Sequence, residues 1–122
     1  MTQLEKIKKE IADFTSKRNW DQHHTLKNLV MSISIEAAEL MEIFQWDNPS
    51  VYSVLSSPEL NKSVRHELAD VLIYLIRMAD KLDIDLYEAV MKKMEINRVK
   101  WDVDMINKTG AYKKDQLNGK QD

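Results

Sequence analysis

The chain has 122 residues, 43% of them hydrophobic, which is room for one folded unit with a core of its own. It has no cysteine, so disulfide frameworks, thiolate zinc sites and thiol nucleophiles are excluded together, and 18 basic against 20 acidic residues leave no field to hold a nucleic acid polymer or an anionic membrane. Only Gly110 and Gly119 occur, both late in the chain, so no glycine-rich phosphate loop can open the fold and tight hairpins have little to build on.

A chain rich in Leu, Glu, Lys, Met and Ala with so little Gly or Pro reads as all-α. The first predicted helix covers about Gln3 to Lys17, with Leu4, Ile7, Ile11 and Phe14 on one face. The segment "RNWDQHH" interrupts it, and a long second helix follows from about Thr25 to Trp46. "DNPSVYSVLSSP" reads as a break, and Ser57 with Pro58 reads as N-cap and first residue of a third helix reaching about Leu82. "DIDLYEAV" opens a fourth that runs to about Trp101. Residues 1–101 are thus expected to form the folded domain and 102–122 a polar C-terminal tail, loosely held, with no sustained period.

No apolar run approaches the roughly 18 to 20 residues that span a membrane, and the N-terminus carries no apolar leader. The expectation is a soluble, cytoplasmic protein with no membrane partner.

On a wheel of about 100° per residue, Leu26, Leu29, Val30, Ile33, Ala37, Leu40, Met41 and Phe44 share the expected core face of the second helix, with Glu36 and Glu39 on its flank. Met31, Ile35, Ala38 and Trp46 gather on the far side. A helix apolar nearly all round needs neighbours on more than one side, which in so short a chain implies another subunit. The third helix repeats the pattern: Val64, Leu68, Val71, Leu72, Leu75, Ala79 and Leu82 form the expected core face, and Glu67, Asp70 and Tyr74 flank it.

Glutamates three apart on a helix are common in water. Two such pairs, on helices able to pack antiparallel, are less ordinary, because four carboxylates then converge and repel one another. Hard oxygen donors without Cys or His beside them suit Mg²⁺, with Mn²⁺ as a possible substitute, and magnesium shares its remaining positions with phosphate oxygens. Glu42 falls on a different face and reads as solvated or as a secondary metal contact. On the fourth helix, Lys93 and Asn97 share a stripe with Leu86, Ala89 and Val90. There they call for a partner, Lys93 a phosphate and Asn97 a sugar or base, unless Lys93 merely extends to solvent.

The stretches "NWDQHHTLKNLVMSISIEAAELMEIFQW", "ELADVLIYLIRMAD" and "KMEINRVKW" resemble the MazG-like all-α nucleoside triphosphate pyrophosphohydrolases, most closely the small dCTP pyrophosphatase-like branch. The similarity covers about residues 4 to 101. The family pattern of Glu-x-x-Glu followed by Glu-x-x-Asp is matched by Glu36, Glu39, Glu67 and Asp70. The resemblance implies a four-helix bundle-type fold assembled as a homo-oligomer, commonly a tetramer built from dimers. It also implies hydrolysis of a (d)NTP to the monophosphate and pyrophosphate in nucleotide pool clean-up, with the four acids binding Mg²⁺.

By position it points to Trp20 and Trp46 as walls of a base pocket, to His24, Tyr74, Lys93 and Asn97 as nucleotide contacts, and to Glu36 or Glu39 as the base that accepts a water proton. Helix one of a neighbouring subunit, or the tail's Lys113 and Lys114, are candidates to close that pocket. Two departures stand out: Ile35 precedes Glu36 where MazG proper has adjacent glutamates, and Ile11 stands where animal-type dCTP enzymes tend to carry a histidine. The preferred base therefore stays open among dCTP, a modified pyrimidine nucleotide, dATP or a broad set.

Three other readings compete. A ferritin-like di-iron protein needs Glu-x-x-His, and His23, His24 and His66 have Trp20, Asp21 and Ser63 three residues earlier. A Nudix hydrolase needs a glycine-containing motif that is missing here. The remaining rival is a non-catalytic helical scaffold or nucleotide-sensing regulator.

Overall fold

The structure is a computed structural model and describes residues 1–110. It is all-helical: α1 (Gln3–Lys17), a 3-10 turn (Asp21–His23), α2 (Leu26–Phe44), α3 (Val51–Ser56), α4 (Pro58–Lys81), α5 (Leu86–Lys100) and α6 (Val103–Thr109). The described residues fall into two compact units, one over Met1–Ile84 and a second that begins at Asp85. No helix among the described residues is long and apolar enough to cross a membrane.

Local chemistry fixes the helix ends. Thr2 and Glu5 form a capping box on α1, while Thr25, Ser50, Ser57, Asp85 and Asp102 each accept a backbone N–H at the start of the helix that follows. Pro58 sits in the first turn of α4, where its missing N–H costs nothing.

Two helices end in matching Schellman turns. At α1 the Trp20 N–H donates to Thr15 O (3.0 Å) and Asn19 N–H to Ser16 O (3.1 Å), with Asn19 at φ 56. At α4 the Ile84 N–H donates to Ala79 O (2.9 Å) and Asp83 N–H to Asp80 O (3.2 Å), with Asp83 at φ 53. Asn and Asp are the non-glycine residues that enter this left-handed region most readily.

Within Met1–Ile84 the largest packing interface joins α2 to α4, and α1 and α3 each pack on α4. The stripe turned inward differs from the one the hydrophobic pattern predicts. On α2 the covered positions are Leu29, Ser32, Ile33, Glu36, Leu40 and Ile43, and on α4 they include Val64, Glu67, Asp70, Val71, Tyr74 and Arg77. Buried apolar side chains among the described residues are few: Ile11, Leu29, Ile76 and Ala79.

Much of the expected core face is open instead. Val30, Met41, Leu68, Leu72 and Leu75 are 47%, 64%, 53%, 45% and 41% exposed. The helices face each other across the flank that carries the acids, which leaves their leucine stripes uncovered. The break expected at 47–58 contains the short α3. Asp102 likewise caps α6 in a region whose polar composition did not announce a helix.

α5 belongs to the second unit. It has no fully buried residue; Val90 is 56% exposed, Lys93 is exposed and Asn97 is half-buried, so the stripe that carries them is not a core face.

Candidate active site

Helical spacing sets the site. Glu67 and Asp70 lie one turn apart on the inward stripe of α4, and Glu36 lies on the inward stripe of α2, so helix packing brings Glu36 to a pair of carboxylates more than 30 residues further along the chain. One oxygen from each of Glu36, Glu67 and Asp70 falls within 4.8 Å of the other two, and all three residues are half-buried. Glu39 is exposed at the margin, and its charge still acts on Glu36 and Glu67.

The cluster is electrostatically unsettled. Glu36 Oε2 and Glu67 Oε2 are buried without a hydrogen-bond partner. Burial, then the Glu39 carboxylate, then Asp70, push the Glu36 carboxyl up to about 7. Glu67 is raised as well, chiefly by burial and then by the Glu39 charge. Orphaned, partly desolvated oxygens of like charge are the arrangement that a divalent cation relieves. The donor set contains oxygen alone, so it fits magnesium or manganese better than zinc.

One cavity of about 350 Å³ begins at Glu36 and Asp70 and continues along Tyr74, Ile73 and Ile11 to Phe14, Trp20, His24 and Arg77. Its aromatic end is built by the α1 Schellman turn, which reverses the chain so that Trp20 meets Phe14. Their rings stand edge to face at 5.6 Å and 74°. The Arg18 guanidinium covers the Phe14 ring at 3.6 Å, and the His24 ring lies 6.4 Å from Trp20. His24 is held below the ordinary histidine range, first by burial and then by the positive charges of Arg77 and Lys81.

Of the residues picked out in the sequence, the structure gathers Trp20, His24, Glu36, Asp70 and Tyr74 around this cavity and sets Glu67 in the oxygen cluster beside it. Trp46 lies apart, just past the end of α2 and 86% exposed. Glu42 is exposed, and Lys113 and Lys114 lie outside the described residues.

Sequence reasoning missed Arg77 and Asp21, and gave Phe14 no role beyond the apolar face of the first helix. The signal for Arg77 was present: a lone cation inside the apolar run from Val71 to Met78 that ends up only 7% exposed. Its guanidinium pairs with Asp21, which also accepts from Lys81 at 3.1 Å. Lys81, and after it Arg77, hold the Asp21 carboxyl below its usual range.

The MazG-like family matches residues 31–115, a span that includes both acidic pairs. The chain belongs to the MazG-like family. It is 34% identical to dCTP pyrophosphatase 1 from Homo sapiens over 129 residues, covering 98% of this chain and 76% of that protein. Against dCTP pyrophosphatase 1 from Mus musculus it is 36% identical over 103 residues, covering 84% of this chain but only 61% of that protein. A crystal structure of a pyrophosphatase from Archaeoglobus fulgidus superposes with a TM-score of 0.75 at 41% identity, covering 84% of this chain and 94% of that one. The all-α architecture expected from composition agrees with this membership.

Proposed function

We propose that the chain hydrolyses the α–β phosphoanhydride of a deoxynucleoside triphosphate, releasing the monophosphate and pyrophosphate, with dCTP the first substrate to try. The observation that carries this reading is a single cavity with a cation-seeking oxygen cluster at one end and an aromatic wall at the other. The mammalian relatives, dCTP pyrophosphatases by name, belong to the same reaction class.

Glu36, Glu67 and Asp70 are the residues to hold Mg²⁺, or Mn²⁺ in its place, with Glu39 as a further ligand from the margin. A divalent cation held there supplies positive charge against the triphosphate oxygens. Trp20, braced edge to face by Phe14, offers the ring on which a base would stack, which gives affinity for any base. Tyr74 lines the middle of the cavity, between the acids and Trp20, where a sugar would lie.

Glu39 stands outside the three-oxygen group, so one of its oxygens can take the proton of an attacking water while the other reaches the cation, which favours it over Glu36 as the base. Lys93, Asn97 and Trp46 remain nucleotide contacts in this proposal, supplied from outside the cavity of Met1–Ile84. The uncovered apolar stripes of α2 and α4 support a homo-oligomer, with a tetramer as the working assembly. Nucleotide pool clean-up in the cytoplasm is the setting that suits such an activity.

The test is pyrophosphate release from each dNTP with Mg²⁺, using Glu39→Gln as control. Turnover that vanishes in the variant is expected. No turnover of any nucleotide, or equal turnover by the variant, would favour the scaffold reading.

A further inference from the structure

Arg77 sits at the inner wall of the cavity with its side chain only 8% exposed, and all three of its nitrogens are engaged within the protein. Nη2 pairs with Asp21, Nη1 lies 3.6 Å from Asp80 Oδ2, and Nε donates to His24 Nδ1 at 3.2 Å. A guanidinium has only donors and stays charged, so this last contact has one proton assignment: Nδ1 of His24 offers its lone pair, and the neutral ring carries its hydrogen on Nε2. A second proton on Nδ1 would set two donors against each other beside the Arg77 and Lys81 charges. Among the described residues Nε2 has no protein partner.

We propose that Arg77 is a positioning residue that locks His24 in the Nε2–H tautomer, so that this wall of the cavity selects a nucleobase presenting a hydrogen-bond acceptor to it. The inference rests on the pyrophosphohydrolase reading. Stacking on Trp20 does not choose among bases; a fixed donor does, because a base that turns its own N–H toward Nε2 leaves two donors unsatisfied in a partly dry site. Thymine carries acceptors too, at O2 and O4, so the discrimination falls at ring position N3, where cytosine presents a lone pair to the Nε2–H and thymine presents an N–H. Asp21 and Asp80 take part by holding the guanidinium, and the Schellman turn takes part by delivering Asp21 and His24 to α4.

Nitrogen NMR of the full chain labelled at histidine reads the tautomer directly, and steady-state kinetics over the four dNTPs reads its consequence. In the wild type, the His24 Nδ1 resonance is expected at the unprotonated position and Nε2 at the protonated one. In Arg77→Met the two should move toward averaged values, KM for the best dNTP should rise about tenfold with a smaller change in kcat, and preference among bases should fall by a similar factor. A second pair of variants does not depend on the buried arginine: His24→Gln, which keeps an N–H near the Nε2 position, should recover most of the base preference that His24→Leu loses.

A proton on Nδ1 in the wild type, an Arg77→Met protein with unchanged base preference, or equal losses in His24→Gln and His24→Leu would each overturn the proposal. Wild-type protein that hydrolyses no dNTP would instead sink the functional reading, a result distinct from turnover with an unchanged preference.

Discussion

On α2 and α4 the carboxylates of Glu36, Glu67 and Asp70 turn into the chain, while Met41, Leu68 and Leu72 on other faces of the same helices stand 64%, 53% and 45% exposed. An isolated globular domain minimising its own free energy would reverse this, since desolvated charge is costly and exposed leucine forfeits burial. The two faces teach the same lesson from opposite sides: each is incomplete without something further. On the proposed reading a cation completes the inner face and apolar surface of another subunit the outer one.

The sharpest way to break this comparison is to neutralise the inner face. Glu36→Gln keeps the shape of the side chain and removes its charge, so dNTP turnover should fall by about 100-fold or more. Melting of the cation-free protein should rise by a few degrees in the same variant, because the like charges of Glu67 and Asp70 lose a neighbour. Activity and stability moving in opposite directions mark a functional strain. A variant that loses both would show that Glu36 serves packing, and calorimetry beside the pyrophosphate assay decides between them.

The outer face is tested by Leu72→Glu. A charge placed in the Leu68, Leu72, Leu75 stripe should shift the assembly from oligomer toward single chains, read by light scattering during gel filtration. If the unmodified chain already runs as a monomer at micromolar concentration, the outer face needs another explanation.

The helices themselves were legible because their signals are local. Apolar spacing, Ser57 with Pro58, and the near absence of glycine fix where helices run, and the helix expected from about Gln3 to Lys17 is α1. Which face of α2 and α4 turned inward was not legible, because periodicity marks an apolar stripe without saying whether this chain or another surface covers it. Glu36, Glu67 and Asp70 were found because their spacing placed them on one side of each helix, a property that survives a wrong choice of core face. Arg77 escaped because its partners, Asp21 and His24, lie 56 and 53 residues away in sequence. No window of helical periodicity reaches that far.

At the aromatic end a smaller effect is expected. Trp20→Ala removes one stacking face, worth roughly 1–3 kcal/mol per base, so KM should rise about tenfold while kcat changes less. Equal damage to both constants would make Trp20 a support for the α1 turn rather than a contact to the base.

The smallest effect tests the inner face by titration. In the unfolded chain the Glu36 carboxyl has its ordinary value near 4.5, and in the fold it is pushed up to about 7, so the folded state holds that proton more tightly. The stabilising contribution is therefore fully present below pH 4.5 and is lost as pH rises through about 7, where the native state must carry the extra charge. Raised in the same direction, Glu67 adds to the slope. Without divalent cation, Tm should decline by a few degrees over this window. With Mg²⁺ the decline should flatten, because a cation that binds only the folded, ionised cluster stabilises it by mass action and does so more at pH 8 than at pH 5. Thermal scans at those two pH values, with chelator and with Mg²⁺, give the four numbers needed. A Mg²⁺ effect equal at both would mean that the ion binds somewhere other than the protonatable oxygens of Glu36 and Glu67.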